Sequence, residues 1–201
     1  MTTLMRAISF VQQGVVAQFE FANIVTLGTA GRLEVAAPLS DDERRDFEVH
    51  IKGDYARGLA IQVKSARHLV SRSGSSYLNV RFAVANSRVV KHPRFWYFFA
   101  HLDFRRMAFT EPVYLVPSAI VHAHARRMSA TMSEFLFNAN LGAHSTDKWT
   151  PYRLSITEVG PAVLSVLSDL PVALQASARV SKLTAMPGTV WVKQLPTKRA
   201  A

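Results

Sequence analysis

Apolar residues recur at Phe10, Val11, Gly14, Ala17, Phe21, Ile24 and Val25, close to the repeat of one helical face. They predict an amphipathic helix over residues 6–27, with Gly28 and Gly31 supplying its stop and turn. The period then changes. Residues 33–37 read as a short strand before Pro38, and Ser40-Asp41-Asp42-Glu43 as a polar turn. Two strand-like runs follow, Asp46-Phe47-Glu48-Val49-His50-Ile51 and Leu59-Ala60-Ile61-Gln62-Val63-Lys64-Ser65, separated by Gly53 and Gly58. In the second run Leu59, Ile61 and Val63 are expected to enter a core, while Ala60, Gln62 and Lys64 share the opposite face.

The Ser/Gly-rich stretch 71–76 reads as a loop, and Tyr77-Leu78-Asn79-Val80-Arg81-Phe82 as a third strand. Residues 95–104 are almost continuously apolar and aromatic, as expected of a central strand buried on both faces. Val113-Tyr114-Leu115-Val116-Pro117 is a further strand, and 119–127 has helical character. Residues 128–148 carry no clear period, and 149–156 form a last compact stretch. A helix is expected over 159–170 with Pro161 in its first turn. The order of helix, several strands, then helices predicts an α/β sandwich with a mixed central β-sheet flanked by helices.

Length and charge narrow the picture. A chain of 201 residues fits one domain, 6–170, followed by a basic, irregular C-terminal extension over 171–201. Pro187, Gly188 and Pro196 argue against a long regular element in that extension, which carries Lys182, Lys193, Lys198 and Arg199. No apolar run reaches the ~18 residues of a membrane span. The absence of cysteine excludes a disulfide framework, a thiolate nucleophile and a cysteine zinc site, and a cytoplasmic location is expected. The formal charge of +10 points to a polyanionic partner, nucleic acid above all.

Candidate chemistry concentrates on the predicted hairpin. Pairing of its two strands brings Asp46 near Gln62 and Lys64, so that a carboxylate, an amide oxygen and an ammonium meet at one edge. Magnesium prefers oxygen ligands and retains several waters, so one carboxylate, one amide oxygen and a substrate phosphate suffice to hold it. A fixed lysine beside such an ion stabilises charge developing on phosphorus. Arg44, Arg45, Arg67, Arg72, Arg81 and Arg88 cluster around this segment in sequence and are candidate phosphate contacts.

Other candidates are weaker. His122 and His124 lie two apart on a predicted helix, where that spacing splits them between faces, and they read as surface histidines. His50 and His68 flank the hairpin as solvent-facing residues able to assist proton transfer. The run Phe95-Trp96-Tyr97-Phe98-Phe99 is better explained as core than as a base-stacking platform. No glycine-rich phosphate loop is present, and nothing indicates ATP dependence.

Over roughly residues 10–156 the chain resembles the PD-(D/E)XK, or restriction-endonuclease-like, nuclease superfamily, in its small stand-alone bacterial form. The resemblance rests on Gly14-Val15-Val16-Ala17-Gln18, on Asp46, and on Ile61-Gln62-Val63-Lys64-Ser65. Phe98-Phe99-Ala100-His101-Leu102-Asp103, Val113-Tyr114-Leu115-Val116-Pro117-Ser118 and Trp149-Thr150-Pro151-Tyr152-Arg153 follow in the family's order. It implies a restriction-endonuclease-like sandwich and a nuclease that hydrolyses DNA with Mg2+ or Mn2+. The sequence leaves the oligomeric state open, and a homodimer would suit the cutting of two strands. The resemblance further implies that Asp46 and Gln62 hold the metal and that Lys64 positions the attacking water. Gln18 stands at the position of the family's helix glutamate, with Glu20 as its substitute. The amides at Gln18 and Gln62 depart from the family's carboxylates, and the alternative they imply is a nuclease-fold module that binds nucleic acid without cleaving it.

Overall fold

The computed structural model describes residues 8–39, 45–54 and 56–171 of the chain. Arg44, the polar turn at 40–43 and the extension from 172 onwards lie outside the described residues.

Helix α1 spans Phe10–Gly28. It begins at Phe10 rather than at residue 6 because Ser9 caps it. The Ser9 hydroxyl accepts from the Gln12 backbone N–H at 3.1 Å, and the Ser9 N–H donates back to the Gln12 side chain at 2.8 Å. The strands are β1 (Leu33–Ala36), β2 (Phe47–Ile51), β3 (Gly58–Ala66), β4 (Val70–Arg72), β5 (Ser75–Ala85), β6 (Phe95–Asp103) and β7 (Ala108–Pro117). A six-residue helix α2 (Ser118–Ala123) precedes β8 (Arg126–Arg127) and β9 (Met132–Asn140). Strand β10 (Arg153–Leu154) leads into helix α3 (Ile156–Asp169).

A six-stranded mixed sheet in the order β1-β2-β3-β6-β7-β10 forms the centre. β2 and β3 are the antiparallel hairpin the sequence predicts, in the register Phe47↔Ile61 and Val49↔Leu59. β6 lies parallel to β3, with Gln62↔Tyr97 and Lys64↔Phe99. Helices α1 and α3 cover one face, and their Phe21, Val25, Val163 and Leu167 bury Ile61, Val63, Phe98 and Leu115. As expected, β6 is buried on both sides, because Tyr97 and Phe99 face the other way.

That second face is covered by an element the sequence did not reveal, a four-stranded antiparallel sheet in the order β4-β5-β9-β8. Leu78 and Val80 of β5 and Phe135 and Phe137 of β9 pack onto Tyr97, Phe99 and Tyr114, with the Phe99 and Phe137 rings stacked at 4.0 Å. β5 and β9 pair from Tyr77↔Asn140 to Ala85↔Met132. Residues 128–148 therefore hold a full strand. Leu136, on its outward face and 48% exposed, interrupted the alternation.

Three further expectations are corrected. The stretch 71–76 is a β-hairpin and not a loop: Ser73 and Gly74 both take positive φ, as a two-residue turn between β4 and β5 requires. The helix expected over 119–127 stops at Ala123, and Arg126 and Arg127 enter β8. Helix α3 starts at Ile156, three residues before the expected 159, because Ser155 and Glu158 form a capping box. Pro161 consequently lies inside the helix and not in its first turn.

α1 and α3 cross where two glycines meet. A Cβ on Gly160 would lie 2.9 Å from Thr29 Cγ2 and 3.1 Å from the Gly28 carbonyl carbon. This close approach fixes the height of α1 over the sheet, and with it the position of any side chain α1 directs toward β2 and β3.

Candidate active site

Two side chains, from α1 and β3, and one backbone N–H converge on the carboxylate of Asp46. Asp46 stands at the start of β2, where its N–H continues the ladder to the Ile61 carbonyl at 2.9 Å. Its Oδ2 accepts from the Val63 backbone N–H at 2.6 Å and from Gln62 Nε2 at 3.3 Å. Its Oδ1 accepts from Gln18 Nε2 at 2.9 Å. The Asp46 side chain is half-buried, so the carboxylate is braced by the protein and still accessible.

The helix supplies Gln18 because of where its core stripe runs. Ala17, Phe21 and Val25 are buried, which puts Gln18 on one flank of that stripe, facing the hairpin. Glu20, two residues on and roughly 200° around the helix, lies on the other flank. Gln18 and not Glu20 is therefore the α1 residue at the carboxylate. Toward its N-terminus, α1 is tied to the same strand by Gln13, whose Nε2 donates to the Ser65 carbonyl and hydroxyl, each at 2.9 Å.

Gln62 and Lys64 share one face of β3, as strand alternation requires. Gln62 is buried, at 7% exposure, with its amide held to Asp46. Lys64 lies with Nζ 5.6 Å from the centre of the Phe82 ring, on β5. The second sheet thus provides the aromatic platform on which the lysine rests. Phe82 is itself stacked on Phe135 at 5.2 Å.

Among the described residues no group of three His, Cys, Asp or Glu side chains converges as a ready metal cluster. A divalent ion at Asp46 would depend on amide oxygens, water and substrate for its remaining ligands. Both amides now present N–H to Asp46. Rotation of each terminal amide about its last torsion, a soft motion, exchanges that N–H for oxygen. The Asp46 carboxylate and the Gln62 amide oxygen, completed by water and a phosphate, make a hard-donor set that suits magnesium or manganese.

Apart from Arg45, the expected arginine contacts among the described residues are dispersed. Arg45, adjacent to Asp46, pairs with Glu48 at 3.2 Å. Arg67 donates to the Ile8 carbonyl at 2.8 Å and lies over Phe10 near the start of α1. Arg72 sits over Tyr77 on the β4–β5 hairpin, and Arg88 ends a short 3-10 turn after β5. Arg81 is paired with Glu134 on the outer face of β5, directed away from the face that Lys64 occupies, because it alternates with inward-facing Val80 and Phe82.

The histidines also part from expectation. His122 is a core residue and not a surface one, with Nε2 2.9 Å from the Tyr97 hydroxyl. Burial, assisted by the charge of Lys91, pushes its pKa down to about 4. His124 is exposed as expected. His50 pairs with Glu34 at 2.9 Å on the β1–β2 side, and His101 bridges Thr110 and the Arg67 carbonyl.

Sequence reasoning missed His92 and Arg94. The Ala60 N–H donates to the Arg94 carbonyl at 2.8 Å, which brings the segment before β6 against the start of β3. With Arg45, Glu48, Ala60 and Phe95 they line a cavity of about 520 Å³, one strand repeat along the β2–β3 hairpin from Asp46. The only trace in the sequence is the basic Lys91-His92-Pro93-Arg94 segment ahead of the aromatic strand.

No family model matches the sequence, and no curated protein matches it. Among solved structures, a bacterial homing endonuclease, I-Ssp6803I, aligns with a TM-score of 0.47 and 17% identity, over 79% of this chain and 97% of that one. No helix among the described residues is long and apolar enough to cross a membrane.

Proposed function

We propose that this protein is a divalent-metal-dependent nuclease that hydrolyses phosphodiester bonds in DNA, a PD-(D/E)XK-type centre in which two acidic positions are amides. The observation that carries this reading is the convergence of Gln18, from α1, and Gln62, from β3, on the carboxylate of Asp46. Lys64 stands one strand repeat further along the same face as Gln62. The formal charge of +10 supports a polyanionic substrate.

Asp46 and the Gln62 amide oxygen would hold the ion, Mg2+ or Mn2+. When bound, such an ion lowers the pKa of a coordinated water and offsets negative charge on the phosphate. The chain's own residues supply positioning. Gln18 and the Val63 N–H hold Asp46 in one orientation, so its carboxylate keeps a fixed direction. Lys64, resting on Phe82, places an ammonium where a phosphate over Gln62 gains charge and where the attacking water is oriented.

The test is incubation of purified protein with plasmid and oligonucleotide DNA in magnesium or manganese. Cleavage is expected, and Lys64→Ala is expected to slow it about a hundredfold or more, the scale of losing one transition-state donor. Cleavage at an undiminished rate in Lys64→Ala would reject this assignment of the site.

A second reading has an observation of its own. The two amide N–H groups already satisfy Asp46 without any cation, which suits a module that binds nucleic acid and does not cut. It gives salt-dependent binding, because phosphate contacts release counterions, and no heat on titration with manganese.

A further inference from the structure

The cavity one strand repeat from Asp46 has features that phosphate binding alone does not account for. It holds about 520 Å³, within the range of small-ligand sites, and is lined in part by Ala60, which shares a face of β3 with Gln62 and Lys64. Alternate residues of a strand are about 6.6 Å apart, close to one nucleotide step along an extended nucleic-acid strand. A strand whose phosphate lies over Gln62 therefore brings its neighbouring nucleotide to this cavity.

Arg45, His92 and Arg94 form the basic part of the wall, and Phe95 the apolar part. The segment bearing His92 and Arg94 is already fixed. Buried Ser118 accepts from the His92 N–H at 3.2 Å and donates to its carbonyl at 3.1 Å, while Arg94 Nη1 donates to the Ala56 carbonyl at 3.3 Å.

One wall residue has the wrong sign for a phosphate. The Glu48 carboxylate lies in the cavity, bonded to Arg45 at 3.2 Å and laid across Gly58, where a Cβ would be 2.7 Å from Oε1. The absence of a side chain at Gly58 leaves the space that this carboxylate fills. A carboxylate accepts hydrogen bonds, and on a nucleobase it matches an exocyclic amino group, the N4 amine of cytosine above all.

We propose that this cavity is a nucleotide subsite next to the scissile phosphate. Arg94 and Arg45 hold the phosphate, and Glu48 selects a base carrying an exocyclic amino group (cytosine, adenine or guanine) over thymine, which has none. The assignment rests on the reading of Asp46 as a nucleic-acid centre.

The experiment is fluorescence anisotropy of labelled single-stranded oligo-dC, oligo-dA and oligo-dT with the full chain in EDTA, so that no cleavage intervenes. The wild-type protein is expected to bind oligo-dC and oligo-dA roughly ten-fold more tightly than oligo-dT, the scale of one base-edge contact. Glu48→Ala is expected to erase that ratio. Gly58→Ala, which pushes the carboxylate aside without removing it, is expected to reduce it. Arg94→Ala is expected to weaken all three oligonucleotides alike and to lower the salt-dependence slope by about one. Arg81→Ala, on the outer face of β5, is the control and is expected to leave the base ratio unchanged. A base ratio indifferent to both Glu48→Ala and Gly58→Ala, or equal affinities in the wild type, overturns the subsite while metal-dependent cleavage leaves the nuclease reading standing. A wild type that neither binds nor cleaves any of the three removes both.

Discussion

The side-chain amide of Gln18 donates to Oδ1 of Asp46 over 2.9 Å, joining the middle of the first helix to the start of the second strand across 28 residues of sequence. At the equivalent distance a glutamate would repel the aspartate unless a cation lay between them. The amide removes the repulsion and supplies a hydrogen bond in its place. The carboxylate is therefore oriented by the protein itself, before any ion or substrate arrives, and the charge of the centre is low.

Restoring acidity at the centre should make it need a cation. Two charges ~4 Å apart at an effective dielectric of ~20 interact by on the order of 4 kcal/mol, repulsive here. Gln62→Glu is expected to lower the melting temperature of the metal-free protein, and manganese is expected to restore it while binding more tightly than to the wild type. Thermal-shift titration with manganese checks this. A melting temperature unmoved by both the substitution and the ion would place Gln62 outside any metal-binding arrangement.

Phe82 should act through Lys64. A lysine resting on an aromatic face gains about 0.5–1 kcal/mol at a partly exposed site. Phe82→Leu keeps an apolar side chain in the second-sheet core and removes the ring. A few-fold fall in cleavage rate with unchanged oligonucleotide affinity is expected, measured by single-turnover kinetics. Equal rates for the variant and the wild type would show that the ring has no part in positioning the lysine.

Stability should fall in mild acid because of His122. In the unfolded chain this imidazole takes up a proton near pH 6.5, and in the fold only near pH 4. Between those values the unfolded state binds more protons, so the stabilisation is complete above pH 6.5 and is lost as the pH falls toward 4. A loss of about 2–3 kcal/mol is expected across that window. Hydrogen bonding also holds Asp54, Asp103 and Glu158 below the ordinary carboxylate range, and their contributions are present above their unfolded values and lost at lower pH. Urea denaturation at pH 7 and pH 4.5 should therefore differ by less in His122→Gln than in the wild type. An identical difference in both would assign the acid sensitivity to other groups.

The helix crossing should be intolerant of a methyl group. Gly160→Ala places a Cβ 2.9 Å from Thr29 Cγ2 and close to α1 backbone, so α1 must rise from the sheet. Overpacking of this kind costs about 1–3 kcal/mol. Denaturation midpoints check the stability, and cleavage assays check the function, because lifting α1 lengthens the contact of Gln18 with Asp46. A variant as stable as the wild type would mean that the crossing has slack.

Much of the site's skeleton was legible in the chain. The alternation of Leu59, Ile61 and Val63 against Ala60, Gln62 and Lys64 fixes which side chains share a face, and the hairpin register then follows from burying the apolar set. The double burial of Phe95–Asp103 was legible for the same reason, since a strand with no polar face has to lie between two layers. Local pattern also placed the body and the C-terminal end of α1, from its core stripe and the glycines after it, while its start at Phe10, set by the Ser9 cap, comes four residues later than the expected residue 6.

What covers the second face of that strand was a matter of long-range pairing. β5 and β9 are joined residue for residue although Tyr77 and Asn140 stand 63 positions apart, and nothing local to either strand names its partner. That sheet decides where Lys64 rests, through Phe82, and turns Arg81 away from the centre. The parallel pairing of β3 with β6 likewise decides that Arg94 meets Ala60. Periodicity determines the face a residue presents, because it is a property of neighbouring backbone units. Which faces meet depends on how separate elements share their apolar surface, and only the folded chain settles that.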